Sequence, residues 1–223
     1  MPKNWDGIVS QYINRKFSRP IAGFLAKNPS ITPNHVTVLS FLTALASGLA
    51  FCLFQPILGG ILAQFSSILD GVDGDLATLT GRVSVFGGFL DALLDRYGDL
   101  AILACMTYYV HVHEMWKIMG VLVGIAALAG SLLVSYSRTL AESSLGHFFN
   151  KGFVGYAANR DVRLFLVMIG GIFTAVFPTL VILAFLTNIV VLGRILHAKK
   201  AFERRKFVEI SFNSAVQKHA VRK

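Results

Sequence analysis

The sequence predicts an all-α, polytopic membrane protein, with six transmembrane helices preceded by an interfacial amphipathic helix. Three observations carry that expectation. The chain of 223 residues is 54% hydrophobic and only 15% charged, with mean hydropathy +0.61, too apolar for an ordinary soluble domain. Its apolar residues fall into runs of membrane length. Its Lys and Arg residues, which set a formal net charge of +9, cluster outside those runs. That distribution assigns the charge to membrane topology and anionic lipid rather than to nucleic acid. Cys52 and Cys105 both lie in apolar segments and imply neither a disulfide framework nor a zinc site.

Residues 1–32 read as an interfacial amphipathic helix and linker. Ile8, Tyr12, Ile13 and Phe17 recur near helical spacing, interleaved with Arg15, Lys16 and Arg19, the pattern of a helix lying in the membrane surface. The segment lacks the uninterrupted apolar core and small-residue cleavage site of a signal peptide. Pro29 and Pro33 break the chain, and Thr32 with Pro33 supplies a cap and a first helical residue. Six spans are expected near 33–54, 57–80, 84–110, 115–140, 161–177 and 179–198, forming one domain over 33–198. Gln55-Pro56 makes a tight hairpin, Thr80 to Ser84 a turn, and Phe177-Pro178 separates the last two spans. A basic tail, 199–223, follows. Lys3, Arg15, Lys16, Arg19, Lys27, Arg82, Arg138, Lys151, Arg160, Arg163 and Lys199 to Lys206 all flank one side of the spans. The positive-inside rule puts that side, with both termini, in the cytoplasm.

Half of the twelve acidic residues lie between Asp70 and Asp99, inside the second and third spans. Carboxylates at membrane depth are costly and mark function. Asp70 and Asp73 share one helical face, as do Asp91 and Asp95. Two such faces opposed bring four carboxylates together, and these repel unless positive charge sits among them. Hard divalent cations, which prefer oxygen ligands, meet that need.

The stretch reads D-x2-D-G-x2-A-x9-G-x3-D-x3-D from Asp70 to Asp95. It resembles the signature of the CDP-alcohol phosphotransferase family, six-helix membrane enzymes, as does the Thr32, Pro33, Asn34, Thr37 segment. The family continues A-R where this chain has Ala77-Thr78. The resemblance implies that Asp70, Asp73, Asp91 and Asp95 ligate two Mg2+ or Mn2+ ions, with Asp95 the general base. It implies that Gly74, Ala77 and Gly87, which lack bulk, line the cytidine pocket beside Asp70, Asp73 and Thr78. Arg82, one turn beyond Thr78, would replace the missing arginine if the helix continues.

A cationic set, Ser135, Arg138, Arg160, Arg163 and Arg194, resembles the acceptor-phosphate residues of the family's inositol-phosphate branch. Forked guanidinium donors suit a phosphate dianion. For Arg194, within an apolar run, snorkelling to the interface is the competing expectation. The resemblance implies transfer from a CDP-alcohol to an acceptor hydroxyl with release of CMP. CDP-inositol plus inositol phosphate, giving di-myo-inositol phosphate phosphate, is the leading pair. CDP-diacylglycerol plus inositol phosphate is the alternative. It further implies a homodimer and, for the soluble donor, a cytidylyltransferase domain or subunit. A cation transporter and an inactive scaffold are the rival classes. Asp75 is expected to be solvated or to support a ligand, and Asp99 to pair with Arg96. His111 and His113 read as surface residues of the outer loop, and Gly59-Gly60 and Gly170-Gly171 as close helix contacts.

Overall fold

The computed structural model describes residues 9–115, 117–145 and 157–220. Ile8, Lys3 and Lys151 lie outside the described residues, as do the side chains of Arg204, Arg205 and Lys206. A wide π-helical turn, Ser10–Asn14, leads into α1 (Arg15–Leu25). The remaining helices are α2 (Pro33–Cys52), α3 (Pro56–Leu79), α4 (Val85–His113), α5 (Lys117–Leu145), α6 (Arg160–Ile172) and α7 (Val176–Ala220). Every described element is helical, as the composition predicts.

The caps follow from local chemistry. The Thr32 hydroxyl accepts from the His35 N–H at 3.4 Å, and the His35 ring accepts from the Thr32 N–H at 3.3 Å. Pro33, which has no N–H to lose, follows at the first helical position. Ser84 caps α4 by accepting from the Gly87 N–H at 3.0 Å. The helix α3 ends at Leu79, and Gly81 turns the corner with φ +66°, a conformation open to glycine without a Cβ penalty. Two corners use other residues, Phe54 (φ 60°) and Thr174 (φ 52°). The Phe54 ring is held 4.2 Å from that of His113, and packing of this kind offsets the cost of a left-handed residue. The break between the last two helices therefore falls at Phe173 to Ala175. Phe177-Pro178, expected to divide them, lies in the first turn of α7, where proline is tolerated.

The helices α2 and α3 form a hairpin. Around it the packing runs α6, α3, α2, α4, α5, α7, and α7 also touches α4 and α6. The core between them includes Phe51, Ile102, Met106, Val110, Val167, Leu180 and Leu183. Large apolar side chains such as Leu42, Ile61, Leu122 and Phe185 instead face outward, as expected of surfaces solvated by lipid. Among the described residues, three helical segments are long and apolar enough to cross a membrane: Pro33–Cys52, Lys117–Ser143 and Val176–Lys200. The helices α3 and α4 carry the aspartates, and α6, with 13 residues, is about 20 Å long.

The helix α1 packs on α3. The Asn14 amide donates to Ser67 Oγ at 2.9 Å and accepts from Gln64 at 2.7 Å. Ser18 and Ala22 are buried, whereas Tyr12, Phe17 and Phe24 are exposed.

Small residues set the helix spacing. A Cβ on Gly60 would meet the Met168 carbonyl at 2.9 Å, and one on Gly171 would meet the Pro56 carbonyl and, at 2.9 Å, Gly60 Cα. Backbone thus rests on backbone where α3 crosses α6. Gly171→Ala should therefore destabilise the bundle by ~1–3 kcal/mol through overpacking. A lower thermal midpoint for the detergent-solubilised variant is the expected result.

Candidate active site

The sequence-predicted residues gather at one end of the bundle. That end is built from the last turns of α3, the first turns of α4, the last turns of α5, the first turn of α6 and Arg194 of α7. Asp70, Asp91 and Asp95 each offer a carboxylate oxygen, and these oxygens lie within 4.8 Å of one another. Asp91 Oδ1 is buried with no hydrogen-bond partner. Converging hard oxygens, with a buried and unsatisfied oxygen on one of the same carboxyl groups, fit a divalent cation. Asp73 stands outside this trio. It is 7% exposed, and its Oδ2 accepts from the Thr37 hydroxyl at 2.6 Å.

Two clefts meet at Asp73, Gly74 and Asp91. The larger, about 370 Å³, is lined by Asp70, Asp91 and Asp95 on one side. Ser135, Arg138, Arg160, Arg163 and Arg194 line it as well, so all five members of the cationic set share one wall system. The smaller, about 190 Å³, is lined by Asn34, Thr37, Gly74, Ala77, Thr78, Arg82 and Gly87, among others. A Cβ on Gly74 would meet nothing within 4 Å, so this glycine leaves open space. A Cβ on Gly87 would crowd Ser84 Oγ at 2.9 Å and Asn34 Oδ1 at 3.2 Å, so the cap of α4 itself requires this glycine.

Arg160 is the counter-charge among the carboxylates. Its Nη1 lies 3.1 Å from Asp70 Oδ1 and 3.0 Å from Asp95 Oδ1, close ionic contacts that lack directed hydrogen-bond geometry. Its Nε donates to Asp99 Oδ1 at 3.4 Å. Arg163 Nη2 pairs with Asp99 Oδ2, and its Nη1 donates to the Ala158 carbonyl at 2.7 Å. Asp99 thus pairs with Arg160 and Arg163. The expected partner, Arg96, donates instead to the Ala92 carbonyl one turn back. Sequence proximity favoured Arg96, but both arginines of α6 approach Asp99 from another helix.

Arg194 does not snorkel. It is 2% exposed and donates to the Val134 carbonyl and, at 3.1 Å, to Ser137 Oγ. The helix α3 does not continue to Arg82, whose guanidinium donates to the Pro29 carbonyl at 2.9 Å and stands at the cleft edge from a loop. Thr78 turns its hydroxyl back to the Gly74 carbonyl at 2.8 Å. Asp75 is paired with Arg15 and accepts from Ser18 Oγ at 3.0 Å. Asp161 Oδ2 accepts from the Ser10 N–H at 2.7 Å. The N-terminal segment therefore closes one side of the larger cleft, with Ser10 and Arg15 in its lining. Sequence reasoning missed that role. The Ser-Arg-Asp partners lie 57 to 151 positions apart, and no local pattern joins them.

The sequence profile described as CDP-alcohol phosphatidyltransferase matches residues 30–201. The bifunctional IPC transferase and DIPP synthase of Aquifex aeolicus is 38% identical over 187 residues, 82% of this chain and 42% of that protein. The chain thus spans about two fifths of the length of that relative. The archaetidylinositol phosphate synthase of Pyrococcus horikoshii is 36% identical over 173 residues, 78% of this chain and 86% of that one. The crystal structure of phosphatidylinositol phosphate synthase from Mycobacterium tuberculosis with CDP-DAG bound is similar at a TM-score of 0.70. It shares 26% identity and covers 82% of this chain and 93% of that one. The same enzyme has been crystallised in complex with manganese and citrate. With this likeness and its membrane-length apolar helices, the chain is an integral membrane protein, and it belongs to the CDP-alcohol phosphatidyltransferase family.

Proposed function

We propose that this chain transfers a phospho-alcohol from a CDP-alcohol to an acceptor hydroxyl, releasing CMP. One observation carries the reading: a carboxylate cluster stands where two clefts of different chemistry meet. The smaller cleft, open at Gly74, takes the cytidine, with Ala77, Thr78, Arg82 and Gly87 around it. The larger, cationic cleft takes a phosphorylated acceptor, held by Ser135, Arg138, Arg160, Arg163 and Arg194. Asp70, Asp73, Asp91 and Asp95 hold two divalent ions, magnesium or manganese, which when bound neutralise the pyrophosphate and the leaving oxygen. Asp95 accepts the proton of the acceptor hydroxyl. That oxygen forms a new bond to the phosphorus nearer the donor's alcohol, and the bond from this phosphorus to the CMP oxygen breaks. The arginines orient the acceptor so that its hydroxyl faces the junction of the clefts.

CDP-inositol and inositol phosphate are the leading substrates, supported by the similarity to the bifunctional DIPP synthase of Aquifex aeolicus. A cytidylyltransferase domain or subunit would supply that donor. A lipid donor such as CDP-diacylglycerol is the second reading. It is favoured by the 36% identity to the archaetidylinositol phosphate synthase and by the likeness to a structure with CDP-DAG bound. Gathering of the trio at one end of the bundle favours transferase chemistry over an ion path, which needs carboxylates distributed through membrane depth.

The proposed topology has six spans over 33–198, with a surface helix within 1–32 and a basic tail over 199–223. The active site and both termini face the cytoplasm. The assembly proposed is a homodimer in the cell membrane.

Purified chain in nanodiscs, given magnesium, inositol phosphate and each donor in turn, should release CMP with one of them. Cation flux into liposomes without CMP release would sink the proposal. Independently of turnover, titration calorimetry should detect manganese binding, weakened at least about ten-fold in Asp91→Asn through loss of a hard ligand. Equal binding by the variant would remove Asp91 from the metal site.

A further inference from the structure

We propose that Asp99 is a positioning residue for the acceptor's phosphate, acting through Arg160 and Arg163; this rests on reading the cationic cleft as the acceptor pocket. Asp99 lies one turn deeper in α4 than Asp95 and is 7% exposed. It is absent from the linings of both clefts and lines a cavity of about 10 Å³ below them. It therefore touches no substrate in either cleft. What it touches are two residues that line the cationic cleft. Its Oδ1 accepts from Arg160 Nε at 3.4 Å, and its Oδ2 pairs with Arg163. Ser131 Oγ of α5 donates to Oδ2 from a third side at 3.4 Å.

The position of Asp99 is built by close packing. A Cβ on the preceding residue, Gly98, would stand 2.9 Å from Ala44 Cβ. That contact seats α4 against α2 and sets Asp99 inside the bundle.

Arg160 is held at two points. Asp70 and Asp95 hold its Nη1, and Asp99 holds its Nε. With Asp99 neutral, Arg160 keeps its contacts to Asp70 and Asp95 but loses the ionic partner that fixes its Nε, so its forked donors no longer hold one orientation toward the phosphate. Arg163, 5% exposed, would retain the Ala158 carbonyl but lose its ionic partner, a costly state for a buried charge. Both changes loosen phosphate-facing donors. Neither removes a metal ligand or a wall of the smaller cleft.

The test compares wild type with Asp99→Asn, using the full chain in nanodiscs. Calorimetry follows the binding of inositol phosphate and, separately, of manganese; steady-state assays give KM for each substrate. The expected result is at least about ten-fold weaker inositol phosphate binding and a matching rise in acceptor KM. Donor KM and manganese affinity should stay within about two-fold, a split that general loss of structure would not produce. Ser131→Ala, which removes one bond to Asp99 and no charge, should weaken acceptor binding about three-fold, and it reads the same effect should Asp99→Asn fail to fold. Equal acceptor binding by Ser131→Ala and wild type, or by Asp99→Asn and wild type, overturns the positioning role alone. Parallel loss of manganese and donor binding in Asp99→Asn overturns it in favour of a purely structural one. Failure of the wild type to bind inositol phosphate overturns the acceptor-pocket reading itself.

Discussion

Carboxylates crowded into one end of a membrane bundle must be answered by positive charge, and the arrangement of the helices follows from that constraint. Three carboxyl groups with oxygens within 4.8 Å of one another repel strongly. Arg160 and Arg163, both in the first turn of α6, bring two guanidinium groups to Asp70, Asp95 and Asp99. The short helix α6 is therefore electrostatically tied to α3 and α4. Breaking one side of such a buried network leaves a charge unpaired, which is far more costly than the net worth of the pair.

The network can form because the helices approach closely. Gly60 and Gly171 let α3 and α6 meet backbone to backbone, and Gly98 seats α4 on α2. Larger residues there would push apart the helices that carry the carboxylates and arginines. Packing and chemistry are thus one problem: small residues set the distance, and the distance decides whether the charges neutralise one another.

The N-terminal segment belongs to the same construction. Its apolar residues Phe17 and Phe24 face outward, while Ser10, Arg15 and Ser18 reach Asp161 and Asp75. A helix with an apolar outward side and a polar side turned to the site can hold the rim of the cleft in place. Asp75 has a structural partner, which accounts for a carboxylate outside the Asp70–Asp95 spacing pattern.

Much of this protein was legible in its residues. Hydropathy and charge segregation read the all-α membrane class, because burial in lipid leaves few options for the backbone. The Thr32-Pro33 cap and the tight Gln55-Pro56 hairpin were readable because each depends on neighbours in sequence. The spacing Asp70 to Asp95 pointed to a shared carboxylate face, since helical pitch is a local property. What depended on distant partners was not legible. Asp99 takes arginines 61 and 64 positions away instead of Arg96. Arg194 turns inward because α5 offers it a carbonyl and a hydroxyl. Arg82 stands on a loop because Gly81 ends the helix. Sequence by itself determined which charges exist and on which helical faces they lie; the tertiary structure alone decided which charges meet, because ion pairing depends on distance through space and not on separation along the chain.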